Sequence, residues 1–551
     1  MLSMNDRQMS LRRADWRFLL PRPSGGSFEH LVLLGGPANL AECIVENGIA
    51  RHVSHDPAKA WSTDALVILA DSVVTLRDAV GCLKAGGALY YEVDRRVRPA
   101  RGELPGKICR IMRDVGLTQM RVYWAKPDLA RCEMYLPLDA SGALGWYLRT
   151  LYMADTPAKR VAEPVLHALT RFGRRPFASL MPCYTITAVA GVSHQATSAP
   201  FDIPALHETF CQADIHPLVL LGGIDERSRI IILPFGPKDK EPAMVLKVSR
   251  RPEFDAHTVR EQAILAEILA RVSQATSRAI PRPLALLRDG GLAISAETYI
   301  PGKRLAASSG HQWAPLGRQL TDLRIVAAWL GEFHQETEID RPLWNDQTIA
   351  DWIEKPLADY EREFGTTARE DHLFAVVRTY ARGITGVPFP IVWRHHDLNE
   401  WNVCCTNSVP GIIDWERARI GPALCDLLYL VTHWSIVARH LRSDEERGGD
   451  FRALFLVCGK SDDARVTLVW EVIARYMAHL RLDRRFFPLL LTVTWVEHAL
   501  GHCERLRALH EAGAREEDSR ASNQWIKYVG LIGDHVEDLF ARTTGVIPCG
   551  S

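Results

Sequence analysis

The chain has no surplus of charge of either sign. Its 551 residues include 66 basic and 66 acidic side chains, which argues against a general nucleic-acid or polyanion binder. It also has no CxxC pair. The twelve cysteines are irregularly spaced, and the neighbours Cys404 and Cys405 are poorly arranged for one zinc site. Reduced, buried thiols are therefore expected. Long apolar runs are missing too, since the longest, around residues 486–496, is too short to cross a bilayer. The opening stretch, MLSMNDRQMSLRRADWRF, is charged and has no apolar core, so no signal peptide, no membrane association and a cytoplasmic location are expected. There is no internal repeat and no low-complexity tract. What remains is ordinary globular composition, 47% hydrophobic and 24% charged, with a length that suggests two to four domains.

Organisation follows from pattern. After an N-terminal extension, 1–28, strand-like runs at 30–34, 65–69, 87–93 and 185–189 alternate with helical periods, an α/β arrangement with a largely parallel sheet over 29–190. A Ser/Thr/Pro-rich stretch at 191–205 has the composition of a linker. Several strands and one helix follow over 206–303, and the remainder, 304–551, is mostly helical by period.

The chemistry is concentrated in residues 395–426. An apolar strand, Ile391–Arg394, runs into His395-His396-Asp397, and Asn402 follows. A second apolar strand, Gly411-Ile412-Ile413, delivers Asp414, then Trp415 and Glu416. One carboxylate to orient and deprotonate an attacking hydroxyl, plus a carboxylate and an amide oxygen to hold a hard cation, are the parts that phosphoryl transfer requires.

This pattern resembles the aminoglycoside-phosphotransferase and choline-kinase superfamily, whose loop reads His-Gly-Asp-x-x-x-x-Asn and whose metal segment reads Ile-Asp-Trp/Phe-Glu. Ala418 to Leu427, with Gly421, Pro422 and Asp426, continues the likeness. The resemblance implies an α+β bilobal protein-kinase-like fold, with a small lobe over 206–303 and a helical large lobe over 304–551. It makes Asp397 the catalytic base, Asn402 and Asp414 magnesium ligands, and His395 and Asp426 supports of the loop. The expected reaction is ATP- and Mg-dependent transfer to a hydroxyl of a small molecule, of aminoglycoside, sugar or amino-alcohol type. A pseudokinase scaffold and a bifunctional methyltransferase–kinase are the alternatives. The chain departs from the pattern at His396, where the family has glycine, and at Gly421-Pro422, where an Asp is missing between the two.

Such a fold needs a strand lysine for the ATP phosphates and a helix glutamate to position it. Lys247 ends the apolar run Ala243-Met-Val-Leu. In the next helix, expected over 255–273, Glu261 lies on the stripe of Ile264, Leu265 and Ile268, whereas Glu267 stands one turn before Arg271, an exposed pair. Glu261 is therefore the expected partner of Lys247. Residues 292–302, with Glu297 and Tyr299, resemble the last small-lobe strand and the hinge that meets adenine. The phosphate-covering hairpin, at Leu221-Gly222-Gly223, lacks a GxGxxG pattern.

The N-terminal segment resembles a class I S-adenosylmethionine-dependent methyltransferase, a Rossmann-like fold. Gly35-Gly36 follow a strand, Asp56 stands at the place of the ribose acid, and Gly86-Gly87 precede a later strand. The interval from Asp56 to Asp64 is too short for a helix and a further strand, since a crossover takes a dozen residues or more. A degenerate, non-catalytic domain is the favoured expectation, beside an active methyltransferase or another truncated Rossmann-like fold.

Overall fold

A computed structural model describes residues 10–21, 26–59, 62–96, 104–152, 157–172, 181–191, 215–223, 227–289, 291–310, 314–406, 409–457, 462–511, 520 and 523–542. Most of the expected linker, 192–205, lies outside them. The chain forms two compact units, one of residues 1–152, 157–262 and 283–299, the other of 153–156, 263–282 and 300–551.

The first unit is built on one mixed sheet of twelve strands. They are β1 (Phe28–Leu34), β2 (Ala50–Ser54), β3 (Thr63–Ile68), β4 (Leu83–Asp94), β5 (Leu117–Lys126), β6 (Met134–Pro137), β7 (Cys183–Ala190), β8 (His216–Leu220), β9 (Ile230–Phe235), β10 (Val245–Val248), β11 (Pro283–Asp289) and β12 (Leu292–Glu297). Their order is β11-β12-β10-β9-β8-β6-β5-β7-β4-β3-β1-β2. At one end β2, β1, β3 and β4 are parallel, and every other pairing is antiparallel. The strands of 29–190 and those of 206–303 thus share hydrogen bonds, through Met134↔Leu220 and Tyr135↔Val219.

Alternation along β1 explains how this sheet is covered. Leu31 and Leu33 join one core with Leu40 and Ile44 of α1 (Leu40–Glu46), while Val32 and Leu34 join another with Ile108 and Met112 of α2 (Pro105–Asp114). A parallel strand buried on both faces reads as a continuous apolar run. Between β2 and β3 there is only the connection 55–62, with no intervening strand among the described residues. The helix after β10, α3 (Asp255–Leu269), stops before the expected 273. Ser273 instead caps the next turn, accepting from the Thr276 N–H, a role that serine fills well.

The second unit packs a helical core that includes Trp344, Trp415, Trp434 and Trp495. Two small sheets stand on it. One is β13 (Lys303–Arg304), β16 (Val403–Cys405) and β17 (Pro410–Ile412), and the other is β14 (Glu338–Asp340), β15 (Ile391–Arg394) and β18 (Arg419–Pro422). The main helices are α4 (Leu316–Glu336), α5 (Cys425–Ala438), α6 (Phe487–Glu511) and α7 (Gln524–Asp534). No helix among the described residues is long and apolar enough to cross a membrane.

Candidate active site

Lys247 sits in the middle of the antiparallel strands, opposite Ile231 on β9 and Ser295 on β12. A buried ammonium needs partners, and two carboxyl groups lie against it. Its Nζ lies 2.7 Å from Glu261 Oε1 and 2.9 Å from Glu297 Oε1. Glu267 is elsewhere, paired with Arg271 at 3.2 Å on the surface. The second oxygen of Glu261 takes the guanidinium of Arg229, from the start of β9. Two cations and two carboxyl groups are therefore buried in one cluster. Burial lifts the Glu261 carboxyl, but Arg229 and Lys247 outweigh it and hold it below the usual carboxylate range. Burial dominates at Glu297 and pushes it up, with the Glu261 charge adding to the rise.

Two expectations of the sequence take a different form here. Glu297 does not turn its side chain outward at the end of β12 but into the Lys247 cluster. The hydroxyl of Tyr299 accepts a 2.6 Å hydrogen bond from Trp146 Nε1, with the rings edge to face. Both side chains are thus held within the sheet unit.

In the second unit, β15 runs into His395, His396 and Asp397, and α5 fixes them. Asp426, at the first turn of α5, accepts the His395 N–H at 2.6 Å and the His396 N–H at 3.0 Å. Arg394 and the His334 imidazole, 3.5 Å away, outweigh the effect of burial and keep Asp426 well below the usual carboxylate range. His395 joins the two segments of the motif. Its Nδ1 accepts the Asp397 N–H at 3.3 Å, so Nε2 donates to the Ile413 carbonyl at 3.0 Å. The Ile413 N–H in turn donates to the Asn402 carbonyl at 3.0 Å. The loop ending at Asn402 and the strand end bearing Asp414 are therefore tied at adjacent residues, and the charge of Asp414 acts on Asp397.

Asp397 itself is partly exposed. Its Oδ1 accepts from Asn399 Nδ2 at 3.0 Å and from the Tyr429 hydroxyl at 3.4 Å. Its Oδ2 faces Asn402 Nδ2 at 3.4 Å, whose better bond, 2.9 Å, goes to the Asp397 carbonyl. Burial pushes the Asp397 carboxyl up, against the pull of Arg417. Donation through Nδ2 leaves the amide oxygen of Asn402 as its acceptor. That oxygen and the Asp414 carboxylate are of the donor type that suits a hard divalent cation such as magnesium. Among the described residues no cluster of three or more His, Cys, Asp and Glu side chains could hold a metal.

Two loop residues hold left-handed backbone, His396 at φ 63° and Asp414 at φ 69°. Strain of roughly 1–3 kcal/mol at such positions is tolerated where the surroundings over-determine them. At His396 they do, because its N–H is bonded to Asp426 and its ring is buried against His498 at 5.1 Å. The imidazole that replaces the family's glycine is packed inward, and burial with Arg419 and Arg394 keeps it neutral.

Sequence reasoning missed Arg229, Tyr429 and His433. The last two lie one turn apart on α5, a spacing that puts them on one face. Tyr429 stacks on His498 at 3.8 Å, and His433 Nδ1 bonds Glu400 at 2.8 Å. One helix face thus grips the loop at Asp397 and again at Glu400.

Residues 237–455 match the family model described as phosphotransferase enzyme family. Among solved structures the chain is similar to a glucosamine kinase in complex with glucosamine, ADP and inorganic phosphate (15% identity, 55% of this chain and 78% of that one, TM-score 0.34). It is also similar to a macrolide 2'-phosphotransferase from Brachybacterium faecium (16% identity, 57% and 99%, TM-score 0.33). A third is a choline kinase from Cryptosporidium parvum (12% identity, 60% and 94%, TM-score 0.35). No curated protein matches the chain. The stretch that matches the family model spans Lys247, Glu261, Asp397, Asn402 and Asp414.

Proposed function

We propose that the protein transfers the terminal phosphoryl group of ATP to a hydroxyl of a small molecule, with magnesium. The observation that carries this reading is the Asp397 carboxylate, with one oxygen pinned by Asn399 and Tyr429 and the loop tied through His395, Asn402 and Ile413 to Asp414. Asp397 orients the acceptor hydroxyl and takes its proton as the bond to phosphorus forms. Asn402 Oδ1 and the Asp414 carboxylate are the magnesium ligands. Lys247, set by Glu261, meets phosphate oxygens, and the backbone from Glu297 to Tyr299 meets adenine. ATP brings the phosphoryl group and magnesium offsets its charge. On this reading 206–303 is a small lobe and 304–551 a large lobe. The acceptor class is a sugar, an aminoglycoside or an amino alcohol, consistent with the glucosamine, macrolide and choline enzymes to which the fold is similar. Purified protein with ATP and Mg²⁺ should phosphorylate members of a hydroxyl-compound panel. ATP consumption that no acceptor increases, and no phosphorylated product, would favour a pseudokinase.

For residues 29–190 we infer a methyltransferase-like fold that has lost its cofactor. The parallel order β2-β1-β3-β4 reverses direction at β1, and a ligand crevice belongs beyond the carboxyl ends of β1 and β3. There the Gly36 N–H, the group that would face a nucleoside, is bonded to Asp71 Oδ1 at 2.9 Å and Oδ2 at 3.0 Å. A cofactor would have to displace a charged acceptor of the chain itself. Asp56, the expected ribose acid, pairs with Lys59 at 3.3 Å. Calorimetry of the full chain with S-adenosylmethionine should show no micromolar binding.

A further inference from the structure

The segment just before β1 holds a density of buried charge that packing alone does not require. Ala14, Trp16, Phe18, Leu19 and Leu20 enter the same core as Leu31, Val67 and Tyr90 of the parallel strands and as Val219, Ile232, Leu246 and Ile294 near Lys247. Interleaved with them are Arg12, Arg13, Asp15 and Arg17, of which Arg12, Asp15 and Arg17 are buried outright. Burying ions costs more than burying hydrocarbon unless each is paired. Each has partners. Arg13 forms a double hydrogen bond with Glu92 at 2.5 Å, and Arg12 Nε donates to the Cys132 carbonyl at 2.8 Å. Arg17 donates to the Arg250 carbonyl at 2.7 Å. Asp15 Oδ2 lies 3.0 Å from the Arg250 guanidinium.

Arg250 is the hub. It stands just beyond β10, three residues after Lys247. Its guanidinium donates to the carbonyls of Gly223, at 3.0 Å, and Leu221, at 2.5 Å. Those carbonyls belong to the near arm of the glycine hairpin, where Gly222 has φ +60° and an added Cβ would meet the Arg229 carbonyl at 2.8 Å. The far tip, residues 224–226, lies outside the described residues. Arg250 therefore ties the hairpin to the strand of Lys247, and Asp15 Oδ2 lies beside its Nη2, the nitrogen that also donates to the Leu221 carbonyl.

We propose that Asp15 is a positioning residue for nucleotide phosphates, acting through Arg250 to set the spacing between the glycine hairpin and Lys247. The N-terminal strap is on this account a working part of the small lobe, and the α/β half of the sheet is its anchor. The inference rests on the phosphotransferase reading, which assigns the hairpin and Lys247 to the phosphates. The strap's apolar residues hold the fold and its carboxylate holds the geometry, so the two roles are separable.

The test uses the full chain and a fluorescent ATP analogue with Mg²⁺. Asp15→Asn keeps the volume and removes the charge, and should raise the analogue's Kd and the KM for ATP by about tenfold, the scale of one charge-assisted contact. The acceptor KM and kcat should stay near wild type. Trp16→Leu removes the ring that stacks on Tyr90 at 5.5 Å and should lower Tm without moving Kd. In an Arg250→Met background, Asp15→Asn should have no further effect on Kd. An unchanged Kd in folded Asp15→Asn, an equal shift in Trp16→Leu, or full additivity with Arg250→Met would each overturn the proposal. Absence of nucleotide binding by the wild type would instead defeat the phosphotransferase reading and this inference with it.

Discussion

Two strand ends in this chain look alike in sequence and differ in what they hold. At the end of β1, Gly35 and Gly36 turn with φ of +88° and +92°. At the end of β15, His395-His396-Asp397 turns with φ +63° at its centre. In the first, the exposed N–H is taken by Asp71, and a Cβ on Gly35 would meet Asp71 Oδ1 at 2.5 Å and the Ser72 nitrogen at 2.9 Å. In the second, the neighbouring N–H groups are taken by Asp426, a carboxylate from the helix behind, and not by the loop's own carboxylate, Asp397. The two turns thus differ in whether the carboxylate that satisfies the backbone comes from the loop after β3 or from a helix.

The comparison can be broken most forcefully at Asp397 and Asp414. Asp397→Ala should reduce transfer by on the order of 10³-fold, the range of a lost general base, with Tm little changed. Asp414→Ala should match it through loss of a metal ligand. A folded Asp397→Ala protein with near-native turnover would show that the β15 turn is not the reactive one. At the Lys247 cluster, Glu261→Ala leaves Arg229 and Lys247 short of a buried partner and should cost about 3–5 kcal/mol of stability, read by denaturant unfolding.

Glu297 gives the cluster a pH signature. Its folded pKa, raised to about 7, lies above the unfolded value, so the folded state holds the extra proton between the ordinary carboxylate range and neutrality. Stability should then fall as pH rises through that window. Wild-type Tm should drop between pH 5 and pH 8 more than that of Glu297→Gln, and parallel curves would contradict the assignment.

How much of this was legible beforehand depends on the distance between partners. The motif from His395 to Asp426 was readable as a unit because its parts are close in sequence and each strand end announces the next residue. Glu261 was readable from helical spacing alone. Arg229, which meets Glu261 from another strand, and Arg13, which meets Glu92, left no local signal. The fusion of the two sheet halves was hidden for the same reason. Antiparallel β5 and β6 alternate poorly, and the β6–β8 pairing spans the segment expected as a linker. Tyr429 left no local signal either, because a phenol in a Leu-rich run gives no sign of where its hydroxyl points.

Smaller effects sharpen the contrast. Tyr429→Phe removes one donor from Asp397 Oδ1 and keeps the stack on His498. It should lower kcat by roughly three- to tenfold, a neutral hydrogen bond's scale, with the KM for ATP unchanged. Gly35→Ala should cost about 1–3 kcal/mol through strained backbone and lower Tm, while turnover per folded molecule stays the same.

The central claim is that the β15 turn reacts and the β1 turn does not. It is tested most directly by incubating the full chain with γ-phosphate-labelled ATP, Mg²⁺ and methyl-labelled S-adenosylmethionine together, over a panel of small hydroxyl compounds. The account predicts phosphate label on an acceptor, lost in Asp397→Ala, and no methyl label on any product. Methyl label on any acceptor, or phosphate label that persists in Asp397→Ala, would contradict it.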